Sequence, residues 1–374
     1  MTVFIDVVNF NSDASCIDSR RWFEAMSGGY NSEFARWLKL YVSHRKPVCL
    51  GLTGGTIADL SVFNIESINI IKENQDIFQI IARPFAHDLS FFRTDWGFNM
   101  NLMLGIKIAK TLFGRVSKYY LPPEFMQTNR QTKLLSDNGV LATFILRSRF
   151  GDKGSSIPNN IFTLNGIPDG RLACIPCTED LTTSYLKAIQ LLDNRQWDSS
   201  MEQLGDAVLW RDGESFLLIP DGIEREKYWL STCNHDRTHI KPDLFYMNSI
   251  ESLHGYPVHP FSAWSNELSM LWFIERVSNM ERNISGTTDA KKISAWLNCI
   301  GTDILAAVEK KAPAVMLKAL GTNSLSTFNI YRSNRGFEGE AHLISAETGE
   351  GITGTECWQV RANNRERIIT ELIH

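Results

Sequence analysis

Several features that would place the chain in a specialised class are missing from its sequence. No stretch approaches the roughly 20 apolar residues needed to cross a bilayer, so a membrane-spanning protein is not expected. The start, MTVFIDVVNF, lacks the basic residues and the long apolar run of a signal peptide. The seven cysteines are odd in number and scattered, which favours a reducing compartment over a disulfide framework. We therefore expect a cytoplasmic protein without a membrane partner.

Excess positive charge is also absent. The sequence has 38 Lys and Arg against 42 Asp and Glu, a formal net charge of −4, which gives no general attraction to phosphate backbones or anionic lipid. Nucleic acid is therefore not an expected partner. Apolar residues make up 43 % and charged residues 21 %, an ordinary globular balance. With 374 residues, the chain has room for one large domain and a smaller one.

Up to about residue 215, short apolar runs alternate with segments of helical period. Most of the runs are nearly continuous apolar strings, which is typical of parallel strands buried on both faces. Helices are predicted at Phe98–Phe113, with Gly114 as a stop, at Tyr185–Leu192 and at Ser200–Leu204. Such βαβ units form a barrel or a wide open sheet. The predicted strands are Val3–Val8, Val48–Leu52, Ile77–Ala82, Tyr119–Leu121, Val140–Leu146, Leu172–Pro176 and Ala207–Trp210.

The pattern changes after residue 215. Residues 220–260 are rich in His, Asp, Pro and Tyr with little periodicity, which predicts long loops. Three helices are then predicted at about Phe261–Asn283, Ala290–Lys311 and Ala314–Leu320, and an irregular stretch from Ser333 to Gly354. We interpret residues 1–260 as an α/β domain with a loop-rich end, and residues 261–374 as a C-terminal helical domain and tail packed on it.

Polar residues follow most of the predicted strands, where parallel α/β proteins gather their functional groups. Glu124 follows two prolines that end a strand and restrain the backbone presenting its carboxylate, as a nucleophile or base requires. It could equally be a surface glutamate that begins the next helix. Asp212 and Glu214 flank Gly213 after another strand, and could differ in protonation, although Asp-Gly is also a common turn pair.

Two sets of cysteine and histidine residues also stand out. Cys233, His235 and His239 could bind zinc, but they lack the paired spacing of structural sites. We leave that question open and predict no metal. Cys174 and Cys177 form a C-x-x-C with Ile-Pro between them, which ends a strand instead of opening a redox helix. We interpret them as core thiols.

Taken in order, these segments resemble glycoside hydrolase family 57, enzymes that act on α-glucans and related sugars. IIARPFAHDLSFF resembles the family's stretch ending in a His-Pro-Ile-Leu-Pro-Leu-type run, with His87 at its histidine. YYLPPEF resembles the Trp-Leu-Pro-Glu motif, and VLWRDGESF the Asp-x-Glu-x-Phe-Gly motif. VMLKALGTNSLSTFNIYRS faintly resembles the last motif. The likeness is best over residues 75–230.

The resemblance implies a distorted (β/α)7 barrel followed by a C-terminal three-helix domain, and a retaining two-carboxylate glycosidase or transglycosylase. It makes Glu124 the nucleophile and Asp212 the acid/base. The expected partner is a carbohydrate or small glycoside, with no cofactor; the oligomeric state is not predicted. The predicted substrate-binding residues are Asn9, Asn11, His87, Asp88, Trp96, Trp210 and Glu214.

The sequence also departs from the family. The opening His-Gln-Pro is absent, and FIDVVNFNSD offers Asn9 and Asn11 instead. Leu217 replaces the glycine after the acid/base motif, and residues 321–324 replace the aromatic and acidic residues of the last motif. Two alternatives therefore remain: a sugar-binding or regulatory protein that kept the barrel without turnover, and a metal-dependent carbohydrate deacetylase.

Overall fold

Parallel strands alternate with helices along the chain, which confirms the α/β class predicted from the sequence. The second of the predicted strands, Val48–Leu52, is found residue for residue, and the other six are found with ends that differ slightly. The computed structural model describes residues 2–11, 25–26, 28–126, 128–147, 162–164, 172–241, 248–250, 268–302, 343–344, 351–352 and 354–374.

The strands form two main sheets. The first has the order β3-β2-β1-β8, with β9 also paired to β1, and the second has the order β10-β6-β7-β5-β4. The strands of the described residues are β1 (Val3–Phe10), β2 (Val48–Leu52), β3 (Phe78–Ile80), β4 (Tyr119–Tyr120), β5 (Ala142–Leu146), β6 (Phe162–Leu164), β7 (Ala173–Cys177), β8 (Ala207–Asp212), β9 (Asp236–Arg237), β10 (Asn248–Ile250), β11 (Leu343–Ile344) and β12 (Gly351–Ile352).

A parallel bridge between Ala82 and Tyr120 connects the two sheets. The Ala82 amide donates to Tyr119 O at 2.8 Å, and the Leu121 amide donates to Ala82 O at 3.1 Å. The result is an arc that runs from β8 through β1, β2 and β3 to β4, β5 and β7. In the part of the chain that the structure describes, no β-ladder joins β7 to β8. Closure into the predicted seven-stranded barrel therefore stays a prediction.

Helices connect and cover these strands. Thr94 caps α4 by accepting a hydrogen bond from the Gly97 amide at 3.2 Å, and Gly114 ends this helix at φ +76°, as predicted. The helices of the described residues are α1 (Glu33–His44), α2 (Gly54–Phe63), α3 (Ile65–Glu73), α4 (Asp95–Phe113), α5 (Asn129–Asp137), α6 (Glu179–Leu191), α7 (Arg195–Leu204), α8 (Glu214–Leu217), α9 (Gly222–Thr232), α10 (Leu268–Ile284), α11 (Ala290–Cys299) and α12 (Gly354–Ile373).

Alternation along the strands separates an inner from an outer face. On β1, Ile5 and Val7 belong to an inner apolar cluster, whereas Phe4 and Val8 pack with the surrounding helices. On β8, Val208 and Trp210 face the same inner cluster. We call this cluster the inner layer; it consists of Ile5, Val7, Cys49, Ile81, Tyr119, Leu121, Phe125, Ala142, Phe144, Leu146, Ala173, Ile175, Cys177, Val208 and Ile240, with Trp210 packed against them.

The loop predicted over residues 220–260 is wrong where α9 forms. The buried face of this helix carries Ile223, Glu226, Trp229 and Leu230, at helical spacing. Glu226 lies in the middle of that face and is fully buried. The apolar pattern of the sequence does not predict α9, because the charged residue Glu226 stands where a helix of this kind normally carries an apolar residue.

The C-terminal helices were predicted with partial success. Helix α10 begins within its predicted range and ends at Ile284, one residue beyond it. Residues 303–311 of the range predicted for the next helix lie outside the described residues. Helix α11 lies within that range and ends at Cys299. It stops there because Gly301 forms an antiparallel bridge with Asp88, and the Thr302 amide donates to His87 O at 2.8 Å. The predicted helix Ala314–Leu320 lies outside the described residues, and the long helix α12 was not predicted. The division into two domains stays a prediction.

Candidate active site

Asn9 and Asp212 lie side by side at the carboxyl ends of β1 and β8. The two residues are register partners in a parallel ladder, so their backbones are adjacent. Each continues the inner series of its strand, Ile5 and Val7 before Asn9, and Val208 and Trp210 before Asp212. Asn9 is buried, and its Oδ1 accepts no hydrogen bond from the described residues, whereas Asp212 is half-buried. Alternation thus places both side chains on the inner face of the sheet, at the carboxyl end of the inner layer.

The turn after Asp212 is tightly built. The Gly213 amide donates to Asn9 O at 2.9 Å, and Ser215 Oγ donates to Asp212 O at 2.6 Å. A Cβ at Gly213 would lie 2.4 Å from the Phe10 ring, so only glycine fits this turn. The chain then enters α8 at Glu214. The side chain of Glu214 lies outside the described residues, so its contact with substrate stays a prediction.

Glu124 lies at the end of β4, in a turn with unusual backbone geometry. Its φ and ψ are +52° and +17°, and Phe125 follows with φ +53°. Two consecutive non-glycine residues in the left-handed region cost roughly 1–2 kcal/mol each. The Phe125 amide donates to Pro122 O at 3.1 Å, and Arg83 Nη1 donates to Leu121 O at 2.8 Å. The turn that presents the half-buried Glu124 carboxylate is therefore strained and braced.

An aromatic contact connects the Glu124 turn with the Asp212 strand. The rings of Phe125 and Trp210 meet edge to face, with centroids 5.1 Å apart and planes at 78°. Phe125 follows Glu124 directly, and Trp210 comes two residues before Asp212 on the same inner face. The backbones that carry the two predicted catalytic carboxylates are thus in contact through their neighbouring side chains.

Four other predicted substrate-binding residues lie after β1, after β3 and at the start of α4: Asn11, His87, Asp88 and Trp96. His87 is buried, and its Nδ1 is 2.9 Å from Thr302 Oγ1; burial, aided by the charge of Arg83, lowers the pKa of this imidazole well below its ordinary value. Asp88 Oδ2 is 3.3 Å from Arg93 Nε. Trp96 packs on Trp296 of α11 at 5.5 Å. Asn11 is half-buried just after β1.

Of these, His87, Asp88 and Trp96 lie where the segment after β3 and the start of α4 meet the helices α10 and α11. Arg93 joins this contact, because its Nη1 is 3.1 Å from Glu281 Oε2 on α10. Each of the three side chains thus has a structural contact there. Substrate binding by them stays a prediction.

A buried ionic cluster lies behind β1 and β8, and the sequence analysis did not predict it. We define the ionic cluster as Asp6, Arg211, Glu226, Arg237, Tyr41 and Tyr185, all fully or nearly buried. Burial alone would raise the pKa of Glu226, but the charge of Arg211 and hydrogen bonds from Tyr185 and Arg211 together lower it. Burial alone would lower the pKa of Arg211, but the charges of Asp6 and Glu226 raise it well above the ordinary value. Arg211 and Glu226 are therefore both charged.

The cysteines and histidines singled out in the sequence are engaged separately. His235 Nδ1 lies 2.8 Å from Thr2 Oγ1, and His239 Nε2 lies 2.9 Å from Ile77 O. Among the described residues, no three His, Cys, Asp or Glu side chains form a group that could hold a metal. Cys174 and Cys177 are buried, as predicted for core thiols, and burial raises the pKa of Cys174 to about 12. No described helix is long and apolar enough to cross a membrane.

No protein-family model matches the sequence, and no curated protein matches it. Solved structures do match. A GH57-type branching enzyme from Pyrococcus horikoshii aligns with TM-score 0.62 and 12 % identity, over 99 % of this chain and 96 % of its own. The α-amylase AmyC from Thermotoga maritima aligns with TM-score 0.60 and 9 % identity, over 99 % of both chains.

A third similar structure is the 4-α-glucanotransferase from Thermococcus litoralis, with TM-score 0.56 and 14 % identity. The match covers 89 % of this chain but 53 % of that enzyme, so the chain spans about half of the enzyme's length. At these identities the likeness establishes the fold. The resemblance predicted from the sequence is confirmed at that level: this chain has the fold of the GH57 enzymes.

Proposed function

We propose that the protein is a retaining glycoside hydrolase or transglycosylase in which Glu124 is the nucleophile and Asp212 the acid/base. The observation that carries the proposal is the pairing of Asn9 with Asp212 at the inner, carboxyl end of β1 and β8, joined to the Glu124 turn through Trp210 and Phe125. Functional groups of parallel α/β folds gather at this end of the strands. The fold of the GH57 enzymes is consistent with a carbohydrate substrate.

The mechanism is a double displacement. Glu124 attacks the anomeric carbon while Asp212 gives its proton to the leaving oxygen; water, or an acceptor sugar, then displaces Glu124 as Asp212 takes a proton back. Retention requires the two carboxyl groups to lie about 5–5.5 Å apart. The strained backbone at Glu124 supports its role, because such strain is concentrated at functional sites, where the carboxylate must be presented in one orientation.

Asn9 is proposed to bind a sugar hydroxyl beside the acid/base. Its buried Oδ1 accepts no hydrogen bond from the described residues, and leaving a buried acceptor unsatisfied costs about 1–3 kcal/mol. A hydroxyl hydrogen of the substrate would satisfy that atom. The Asn9 side chain thus stands in the place of the family's opening histidine, and it is a neutral amide that does not titrate.

The proposal is tested with a panel of 4-nitrophenyl glycosides of common sugars in both anomeric forms. We expect the wild type to release nitrophenol from at least one of them, and Glu124→Gln to lose at least about 1000-fold in kcat/KM. Asp212→Asn should lose at least about tenfold in kcat, because nitrophenol leaves with little help from an acid and the variant lacks the base of the second step. Asp221→Asn is the matched control, because Asp221 is exposed and its φ of +57° suits asparagine. The control is expected to keep wild-type activity.

Two results would contradict the proposal. One is full activity in either carboxylate variant. The other is sugar binding by the wild type, measured by calorimetry, with no turnover of any glycoside and no effect of Glu124→Gln on affinity; that result would establish the sugar-binding alternative.

A further inference from the structure

The ionic cluster lies directly behind the strand end that carries Asp212. Arg211 and Asp212 are consecutive on β8, so their side chains leave opposite faces of the sheet. Arg211 is fully buried, although guanidinium groups are rarely sealed from water without a full set of partners. The buried charge of Arg211 therefore lies one residue away from the predicted acid/base.

Arg211 clamps β8 to β1 through two parallel hydrogen bonds. Its Nε donates to Asp6 Oδ1 and its Nη2 to Asp6 Oδ2, both at 2.9 Å. This bidentate geometry fixes the guanidinium plane as well as its distance. Asp6 is on the strand that also carries Asn9. The same two strands therefore hold the Arg211–Asp6 pair on their outer face and Asn9 with Asp212 on their inner face.

A third nitrogen of the guanidinium is held by α9, the second helix after the Asp212 turn. Arg211 Nη1 donates to Glu226 Oε1 on α9 at 2.6 Å, and the Tyr185 hydroxyl donates to Glu226 Oε2 at 2.6 Å. The guanidinium carbon also lies 4.6 Å from the centre of the Tyr185 ring and 5.0 Å from that of Trp229. Contacts with the neighbouring strand β1 and with the helices α6 and α9 thus hold Arg211 in place.

The charges of the cluster balance. Arg211 and Arg237 face Asp6 and Glu226, and Arg237 Nη1 lies 3.1 Å from Asp6 Oδ2. A buried, balanced network tolerates few rearrangements, because any shift leaves a desolvated charge unpaired. Buried ion pairs add little stability compared with apolar packing, and their best-attested use is to fix a register. Here, a slip of one residue between β1 and β8 would turn Asp212 to the outer face.

We propose that Arg211 is a positioning residue: its clamp on Asp6 and Glu226 holds β8 in register with β1 and keeps the Asp212 carboxyl aimed at the leaving oxygen. The inference rests on the proposed function, because it assigns Asp212 the acid/base role. It gives this ionic cluster a task that the cluster of Asp59, Arg361 and Arg365 does not have. That second cluster ties α12 to α2 and includes no residue of β1 or β8.

The test uses two substrates of the same sugar, a 2,4-dinitrophenyl glycoside and a methyl glycoside. The first leaving group needs no proton, whereas the second depends on the general acid, whose contribution is about 100-fold or more. We expect Arg211→Lys to lose about 100-fold in kcat/KM on the methyl glycoside and less than about threefold on the dinitrophenyl glycoside. The ratio kcat/KM reports glycosylation, so later steps do not enter.

Two variants complete the design. Tyr185→Phe removes one hydrogen bond to Glu226 and leaves every ion pair in place, so it keeps the test valid if Arg211→Lys does not fold. Its expected loss is about tenfold on the methyl glycoside alone. Arg361→Lys is the matched control, because it alters a buried arginine paired with a buried aspartate elsewhere. It is expected to leave the ratio between the two substrates unchanged.

The outcomes separate the two proposals. Equal losses on both substrates in Arg211→Lys and Tyr185→Phe would mean a general structural role and would overturn the inference, while leaving the proposed function intact. No turnover of either substrate, or of any glycoside, by the wild type would overturn the proposed function and the inference with it. A selective loss on the methyl glycoside would support both.

Discussion

The two predicted catalytic carboxylates are held by different physical means. Asp212 ends a six-residue strand that is paired along its length with β1, and two charged partners, Asp6 and Glu226, restrain the residue before it. Glu124 follows a two-residue strand, and its turn is restrained locally by two prolines and a left-handed backbone. One side thus relies on long-range buried charge, whereas the other relies on local backbone geometry. We call these the Asp212 side and the Glu124 side.

This difference agrees with the two tasks. An acid/base must give and take a proton at one place in both steps, so a rigid strand register suits it. A nucleophile must be presented in one orientation toward the anomeric carbon, and a strained turn can supply that. The comparison predicts that the two sides respond differently to loss of charge, to acid and to relief of strain.

Removing a charge from the Asp212 side is expected to have the largest effect. Asp6→Asn leaves Arg211 and Arg237 buried with a single carboxylate, Glu226, so we expect the free energy of unfolding to fall by about 3–5 kcal/mol in urea titrations. The control is Asp76→Asn, which breaks the exposed pair with Arg45 and should cost less than about 1 kcal/mol. A loss below about 1 kcal/mol in Asp6→Asn would show that the ionic cluster does not anchor this side.

Acid is expected to act first at His87, whose imidazole feels the charge of Arg83, the residue that braces the turn on the Glu124 side. Burial lowers the pKa of His87 well below its ordinary value of 6.5, so the unfolded chain binds this proton and the folded chain does not. Stability from the neutral imidazole is therefore complete above about pH 6.5, and it decreases as the pH falls toward the lowered pKa.

Between pH 7 and 5.5 this loss should amount to about 1 kcal/mol. His87→Asn is expected to remove that share of the pH dependence in urea titrations at the two pH values. On the Asp212 side, the pKa of Glu226 is lowered, so its contribution is lost only below about pH 4.5, the ordinary range of a glutamate. An unchanged pH dependence in His87→Asn would contradict this order.

Relief of strain is expected to have the smallest effect on stability. Glu124→Gly places glycine at φ +52°, and the strain relieved should exceed the entropic cost of glycine by about 0.5–1 kcal/mol. The variant should therefore be slightly more stable in urea but inactive. Arg45→Gly, at φ +49°, is the matched control and should gain similar stability with full activity. Destabilisation by Glu124→Gly would contradict the claim of strain at this turn.

The sequence predicts the local features better than the long-range ones. Apolar runs of β-branched residues locate the strands, and the two prolines before Glu124 and the glycine after Asp212 identify their turns. The ionic cluster cannot be read in this way, because Asp6 and Arg211 are far apart in the chain and each resembles a surface residue in its own segment. For the same reason α9 was predicted as a loop: Glu226 belongs to the core only once Arg211 is beside it.

In the candidate site, too, the local features are predicted from the sequence and the long-range contacts are not. The resemblance to GH57 motifs predicts Glu124 and Asp212 as a pair, and their roles stay a prediction, as does that of Asn9 beside Asp212. The contacts of His87 and Asp88 with residues 301 and 302 could not be predicted, because they depend on how the C-terminal helices pack on the strands. The bracing of the Glu124 turn by Arg83 is likewise a tertiary contact.

The central claim is that Glu124 forms a covalent bond with the sugar. The most direct test incubates the protein with a fluorinated glycosyl fluoride of the sugar it turns over, which slows release of the intermediate, and maps the modified peptide by mass spectrometry. We predict one added glycosyl group per chain, attached at Glu124, in the wild type and in Asp212→Asn alike, because fluoride leaves without a proton. Glu124→Gln should form no adduct. A glycosyl group on any other residue, or turnover with an inverted anomeric product and no adduct, would contradict the account.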